Sequence, residues 1–219
     1  MAAALALLSE SGPEGFTVRA IARRANVAPM AIYNHFEGKD GLLDAIWSEG
    51  FTLLRQALAS SANNREDPLI NTGLAYRRFA LTHPSHYTVM FMHRFVGFTP
   101  TIPAAQIALE TFQTLVDLVT SAQSRGLFGS FEAADAAQLL WSACHGFVSL
   151  EMMNINFAEE RDRTFLAFLR GIEPVPSHDL EAPFTAALRL RHDVEEDAVN
   201  AGEFGFGACK LVEGIRDPT

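Results

Sequence analysis

Apolar residues recur every three or four positions along most of the chain, and no stretch alternates strictly over the length of a strand, so the pattern predicts an all-α fold. Helices are expected near residues 2–11, 17–25, 29–35, 39–60, 67–83, 85–95, 103–126, 132–157 and 160–171. Several boundaries have local chemistry behind them. Lys39, Asp40 and Gly41 open the fourth helix, Pro84 separates two helices, Pro100 and Pro103 bracket a loop, and Gly126 with Gly129 ends the 103–126 segment. The polar run at 60–67 divides a small N-terminal unit, 1–60, from a larger one, 61–173. Beyond these, 174–219 is an extension in which Leu180, Phe184, Leu188, Arg191, Val194 and Val199 predict one more helix near 183–200, ahead of the Gly-rich GEFGFG. No internal repeat or low-complexity segment interrupts the pattern.

The densest signal is residues 17–43, TVRAIARRANVAPMAIYNHFEGKDGLL, which read as two short helices joined by a tight turn and followed by a longer one. Val18, Ile21, Ala22 and Ala25 form an apolar stripe, while Arg19, Arg23 and Arg24 fall on other faces. Asn26 tolerates the left-handed backbone that ends a helix, and Val27 is expected to plug the angle between the two helices. Pro29 suits a first helical position, where its missing N–H costs nothing. The second helix should expose Met30, Tyr33, Asn34 and His35 and turn Ile32 and Phe36 inward. That is the layout of a helix-turn-helix that reads DNA. Tyr33, Asn34 and His35 would lie at the groove, Pro29 and Met30 would touch thymine methyls or sugars, and Tyr33 and Lys39 would hold phosphates. Thr17 and Arg19 complete the candidate DNA-facing set. The competing reading has Tyr33 and Phe36 packing a three-helix core, and Arg23 and Arg24 as solvated charges.

This head resembles the TetR family of one-component bacterial repressors through Thr17, Ile21, Ala22, Ala25, Val27, Tyr33, His35, Phe36, Lys39 and Leu42. It departs from the family pattern at Asn26, where Gly is usual, and at Ala28 and Ala31, where Ser and Gly are frequent. Ala28 withdraws an N-cap hydroxyl, a loss of about 1 kcal/mol of helix stability or of one phosphate contact. Residues 76–91, YRRFALTHPSHYTVMF, and 139–152, LLWSACHGFVSLEM, resemble the Trp-His-Gly subtype of the family's C-terminal domain, which is expected to end near 171–173. The resemblance implies a three-helix DNA-binding head joined to a C-terminal helical domain for effector binding and dimerisation. It implies a homodimer on double-stranded operator DNA, acting as a repressor released by a small hydrophobic effector, with no cofactor and no enzymatic activity. The implied mechanism tilts the 39–60 helix and so changes the separation of the two heads.

Composition adjusts this picture in three ways. At 219 residues and 48% hydrophobic content the chain can bury a sizeable core, and no run of about 18 uncharged apolar residues suggests a membrane span. The opening MAAALALLSESG lacks a basic start and reads as an amphipathic helix rather than a secretion signal. Cys144 and Cys209 are too few for a disulfide framework, so reduced thiols in a cytoplasm are expected. The net charge of −9 argues against indiscriminate binding to nucleic acid, yet residues 17–36 hold three Arg and no acid. Because TetR-like heads usually carry basic residues before the first helix, and this chain starts inside it, a shortened N-terminus with weaker phosphate anchoring is expected.

Further candidates lie in the second unit. Phe79, Tyr87, Met90, Phe91, Met92, Phe95, Phe98, Phe112, Trp141, Phe147 and Met152 could line an apolar effector pocket, with His83, His93, Tyr87 and His145 orienting a planar or hydrophobic ligand. Each of these residues taken alone is ordinary helical core. His83, His86 and His93 suggest a metal only weakly, since Pro84 interrupts their face and no carboxylate or Cys joins them. Cys144 and His145 are adjacent on a helix and should point apart, which prevents a nucleophile from meeting its base. Gly202, Gly205 and Gly207 lack the context of a phosphate loop. Residues 132–171 carry wide apolar faces, and Leu139, Ala143, Phe147, Leu150, Phe165 and Leu169 are expected at a dimer interface. The alternative to a regulator is a helical small-molecule-binding dimer that has lost specific DNA binding; an enzyme using His83, His93 or Glu151 has no motif in its favour.

Overall fold

The computed structural model describes residues 1–62, 67–129, 131–155 and 159–171, and among these every regular element is helical. In chain order these are α1 (Ala2–Ser11), a 3-10 turn (Pro13–Gly15), α2 (Val18–Ala25), α3 (Pro29–Phe36), α4 (Lys39–Ala62), α5 (Pro68–Thr82) and α6 (Pro84–Tyr87). A π turn (Thr88–Met92) continues α6, and α7 (Ile102–Gln123), α8 (Ala133–Met152) and α9 (Arg161–Gly171) follow. The expected extension helix at 183–200, the GEFGFG run and Cys209 lie outside the described residues.

The ends of the short helices follow local rules. Thr17 caps α2, its Oγ1 accepting from the Ala20 N–H at 3.2 Å. Asn26 closes the same helix with φ 54° and ψ 45°, and the N–H groups of Asn26 and Val27 return to Arg23 and Ala22. This is a Schellman closure built on Asn instead of Gly. Pro29 and Pro68 each start a helix at a position where a missing N–H is harmless. The helix expected over 85–95 stops at Met92, where the backbone widens into the π turn before the extended His93.

Two hydrophobic cores are stacked along α4. The head core gathers Ala4, Leu8, Phe16, Ile21, Ile32, Leu42, Leu43 and Ile46, together with Val89 and Phe95 from beyond α6. The second core takes Phe51, Leu54 and Leu58 from the distal half of α4 and packs them with Ile70, Tyr76, Phe79, Tyr87, Met90, Val148, Phe165 and Leu169. A third cluster, Val119, Ala122, Phe128, Ala136 and Ala137, joins α7 to α8. One helix therefore belongs to both cores, with Trp47 at the junction, packed on Phe51 at 5.0 Å and on Phe98 at 6.3 Å.

Polar ties fix α4 to its neighbours. Asp44 accepts from the Thr101 N–H at 2.8 Å and from Thr101 Oγ1 at 2.9 Å, at the N-cap of α7. Arg55 pairs with Glu110 on α7, and Thr111 Oγ1 donates to the carbonyls of Ile107 and Phe51.

Candidate functional site

The first candidate is the outer face of α2 and α3. Ile32 is buried in the head core and Phe36 is half-buried, so α3 is anchored along one side. Its other side is left in solvent, with Met30 63% and Tyr33 52% exposed, and Pro29, Asn34 and His35 exposed beside them. Tyr33's ring lies over Gly38 and is otherwise in solvent, and large side chains so exposed on a short helix form a surface suited to contact. Thr17 and Arg19 are exposed at the start of α2. Two side chains depart from expectation. Val27 does not plug the inter-helix angle; it is 43% exposed, because the Schellman closure turns it outward, and Ala25 is exposed rather than part of the buried stripe.

The cations of the head are unequally available. Arg19 and Arg23 make no ion pair among the described residues, whereas Arg24 makes a bidentate pair with Glu10 at 2.6 and 2.7 Å. Lys39 Nζ sits over the rings of Phe16 and Phe95, at 5.9 and 5.5 Å, which holds its charge beside the head core at the first turn of α4. Ala28 occupies the N-cap of α3 without a side-chain bond, and the Ala31 N–H turns back to the Ala28 carbonyl at 2.9 Å.

The second candidate lies where α5, α6 and α8 meet. Trp141, His145 and Ser149 are spaced by four and share one face of α8, toward which Tyr76 and Tyr87 project. Both tyrosine hydroxyls lie on His145 Nδ1, at 2.8 and 2.9 Å, and 3.3 Å from each other. His145 Nε2 lies 3.3 Å from Ser149 Oγ, and Nδ1, where it accepts, can take only one of the two hydroxyl protons. Trp141 Nε1 donates to Tyr76 Oη at 3.3 Å, and Phe91 stands edge-on to His145, Tyr87 and Trp141. Burial pushes the hydroxyls of Tyr76 and Tyr87 well up and lowers His145, so the cluster carries no charge at neutral pH.

Of the expected effector residues, the structure brings together Tyr87, Phe91, Trp141 and His145, and Phe112 reaches the group through Trp141 at 6.1 Å. Phe79 and Met90 are buried in the same core. His83 stacks on Phe79 at 5.1 Å instead of reaching His145. His93 is turned away, edge-on to Phe95 of the head core at 4.7 Å. Tyr76 and Ser149 were not anticipated; the four-residue spacing of His145 and Ser149 was the available signal for the latter. Among the described residues no group of three metal-ligating side chains assembles, and His86 bonds Glu49 at 2.9 Å. Cys144 is buried beside His145 in the chain, its thiol pushed up to about 12 by burial, so it is no nucleophile.

His145 makes stability depend on pH. Its folded-state pKa lies below the ordinary 6.5, so as pH falls through 6.5 the unfolded chain takes up a proton that the folded one refuses, and stability drops. Thermal unfolding of the native protein should therefore weaken between pH 7 and 5 more steeply than that of His145→Asn. Parallel curves for the two proteins would show that the imidazole is not buried neutral.

The expected interface set divides. Leu139 and Leu150 are about half exposed and Ala143 is partly exposed along α8, where a side chain added at Gly146 would meet nothing within 4 Å. Phe165 and Leu169 belong instead to the protomer's own core: Phe165 is fully buried against Phe147 at 4.9 Å, and Leu169 closes over Gly73. A hollow of about 480 Å³ at the α8–α9 connection is lined by Arg77, Glu159, Glu160, Arg161, Asp162 and Arg163, away from the aromatic cluster.

Comparison with known proteins matches both parts of the chain. Residues 1–46 fit the family described as bacterial regulatory proteins, tetR family, and residues 69–172 fit the tetracyclin repressor-like C-terminal domain. The chain is 29% identical over 183 residues to an uncharacterized HTH-type transcriptional regulator of Mycobacterium tuberculosis, covering 80% of each. It is 26% identical to the tetracycline repressor protein class A of Escherichia coli, covering 97% of this chain and 87% of that one. A structure of a protein of unknown function from Rhodococcus sp. RHA1 superposes with a TM-score of 0.67 at 26% identity, covering 78% of this chain and 92% of that one.

Proposed function

The chain belongs to the TetR family of DNA-binding transcriptional regulators, and from that premise we propose that it is a homodimeric repressor released from operator DNA by a small hydrophobic effector. It acts in the cytoplasm and catalyses nothing; among the described residues no helix is long and apolar enough to cross a membrane. Tyr33, Asn34 and His35 lie at the groove, with Pro29 and Met30 against sugars or thymine methyls, while Tyr33 and Lys39, with Thr17 and Arg19 beside them, hold phosphates. The stripe of Leu139, Ala143, Gly146 and Leu150 meets its symmetry mate. Two heads then address half-sites one helical turn apart, about 34–36 Å.

The observation that carries the ligand-responsive part is α6, whose consecutive residues Ser85, His86 and Tyr87 bond in two directions. Tyr87 enters the aromatic cluster, while Ser85 Oγ donates to the Leu5 carbonyl of α1 at 2.9 Å and His86 bonds Glu49 of α4. An effector that displaces Tyr87 pulls on α1 and α4, the two helices that carry α2 and α3. It shifts the equilibrium only by its preference for one arrangement, commonly about 1–3 kcal/mol.

Tyr33→Ala tests the DNA-reading role. Specific operator binding in a gel shift should fall by roughly a hundredfold, since each half-site loses a contact worth about 1–3 kcal/mol, with no change in dimer mass or thermal unfolding. Retained specific binding would refute the assignment. The rival, a ligand-binding dimer without operator specificity, is favoured by Arg24 being spent on Glu10 and by Ala28 at the α3 cap. Failure of the unaltered protein to shift its own upstream DNA would establish that rival.

A further inference from the structure

The hydrogen bonds at His145 are uneven in a way that bears on what can replace them. Nδ1 has one lone pair and faces two hydroxyls, at 2.8 and 2.9 Å. The remaining contacts are long: Trp141 to Tyr76 and His145 to Ser149 at 3.3 Å, and Tyr87 to Ser149 at 3.4 Å. Every polar group of the cluster has a partner, but Nδ1 can accept only one hydroxyl proton, and the other hydroxyl is left with contacts of 3.3 Å to its fellow tyrosine or 3.4 Å to Ser149.

No charged side chain among the described residues bonds any member of the cluster. The nearest cation along the chain, Arg77, is already committed to Glu151 and Asp162. A carboxylate or an ammonium ion brought here would lose its water without gaining a counter-ion. The surrounding walls are flat rings, Phe91, Trp141 and Phe112, each half-buried, so the cluster reaches the surface on that side.

We propose that the effector is an uncharged planar aromatic molecule bearing a carbonyl-type acceptor, stacked among Phe91, Trp141 and Phe112 and hydrogen-bonded by Tyr76 and Tyr87. This rests on reading the cluster as the effector site. The ligand oxygen takes over the hydroxyls that now crowd Nδ1, which is also what frees Tyr87 and the helix α6 that it ends.

Three two-ring probes separate the requirements: coumarin, neutral with a carbonyl; naphthalene, neutral without an acceptor; and 2-naphthoate, anionic. Titrations use the full chain with Trp47→Phe, which leaves Trp141 as the one indole to report by fluorescence. Coumarin should bind at least tenfold more tightly than either other probe. Tyr76→Phe with Tyr87→Phe should reduce coumarin to the level of naphthalene while leaving naphthalene unchanged, circular dichroism confirming the fold. If 2-naphthoate matches or exceeds coumarin, or if the double Phe variant binds coumarin as well as its parent, the ligand class is wrong and the site stands. If no probe perturbs Trp141, the site itself falls, and the proposal with it.

Discussion

Arg77→Ala is expected to cost the fold about 3–5 kcal/mol, the penalty for leaving a buried charge without its partner. Arg77 on α5 grips Glu151 on α8 through two bonds, of 2.6 and 2.7 Å, and reaches Asp162 at the start of α9 at 2.7 Å. Its guanidinium also lies 5.4 Å from the Phe165 ring centroid. The two carboxylates are not equivalent. Glu151's side chain is 4% exposed and Asp162's is 91%, so truncation strands the first and merely frees the second. The melting temperature should fall by roughly 10 °C or more, judged from the usual slope for a chain of this size. Asp162→Asn should move it little. Arg77→Met with Glu151→Leu should recover most of the loss, because hydrophobic replacement removes the stranded charge together with its partner. A single variant as stable as the native protein would mean that Glu151 is hydrated after all.

Gly41→Ala should be nearly as damaging, through sterics instead of charge. A Cβ at Gly41 would stand 1.7 Å from the Phe36 carbonyl oxygen and 2.8 Å from its carbon, where real Cβ contacts do not come under 3.0 Å. The obstacle is the backbone at the end of α3, which cannot swing aside like a side chain. The oxygen must retreat by about 1.3 Å, and α3 must move with it or the first turn of α4 must open. About 3 kcal/mol is expected, the upper part of the range for overpacking, together with loss of operator binding in a gel shift. Gly50→Ala in the same helix is the control. Its nearest atom is the Met90 thioether sulfur, which can rotate away, and Ala gains about 1 kcal/mol of helix propensity over Gly. Equal losses for the two substitutions would remove the special standing of the α3–α4 turn.

These two sites differ in how far they could be read beforehand. Gly41 stood in a visible signal, the helix start at Lys39, Asp40 and Gly41, although the carbonyl pressed against it did not. The Arg77–Glu151 pair spans 74 positions, and no spacing rule links them. The same division runs through the candidate sites. The exposed face of α3 was legible because a short amphipathic helix reveals its solvent side by period alone. Asn26 as a helix stop was legible because few residues adopt a left-handed backbone cheaply. His93 and Phe165 were misplaced for one shared reason: an apolar or aromatic position shows that it will be covered, and not by what. His93 went to the head core at Phe95, and Phe165 to its own protomer instead of a second copy.

By itself the amino-acid order determined the helices, their stops and the outward face of α3, because these depend on side-chain period and backbone preference within a few residues. Only the tertiary structure decided that Tyr76, Tyr87, Trp141, His145 and Ser149 would share one uncharged network, and that α4 would serve two cores. It also decided that Phe165 and Leu169 would be spent inside the protomer. Such pairings are set by how whole helices cross, and packing at a crossing depends on shapes contributed from parts of the chain that local order does not connect.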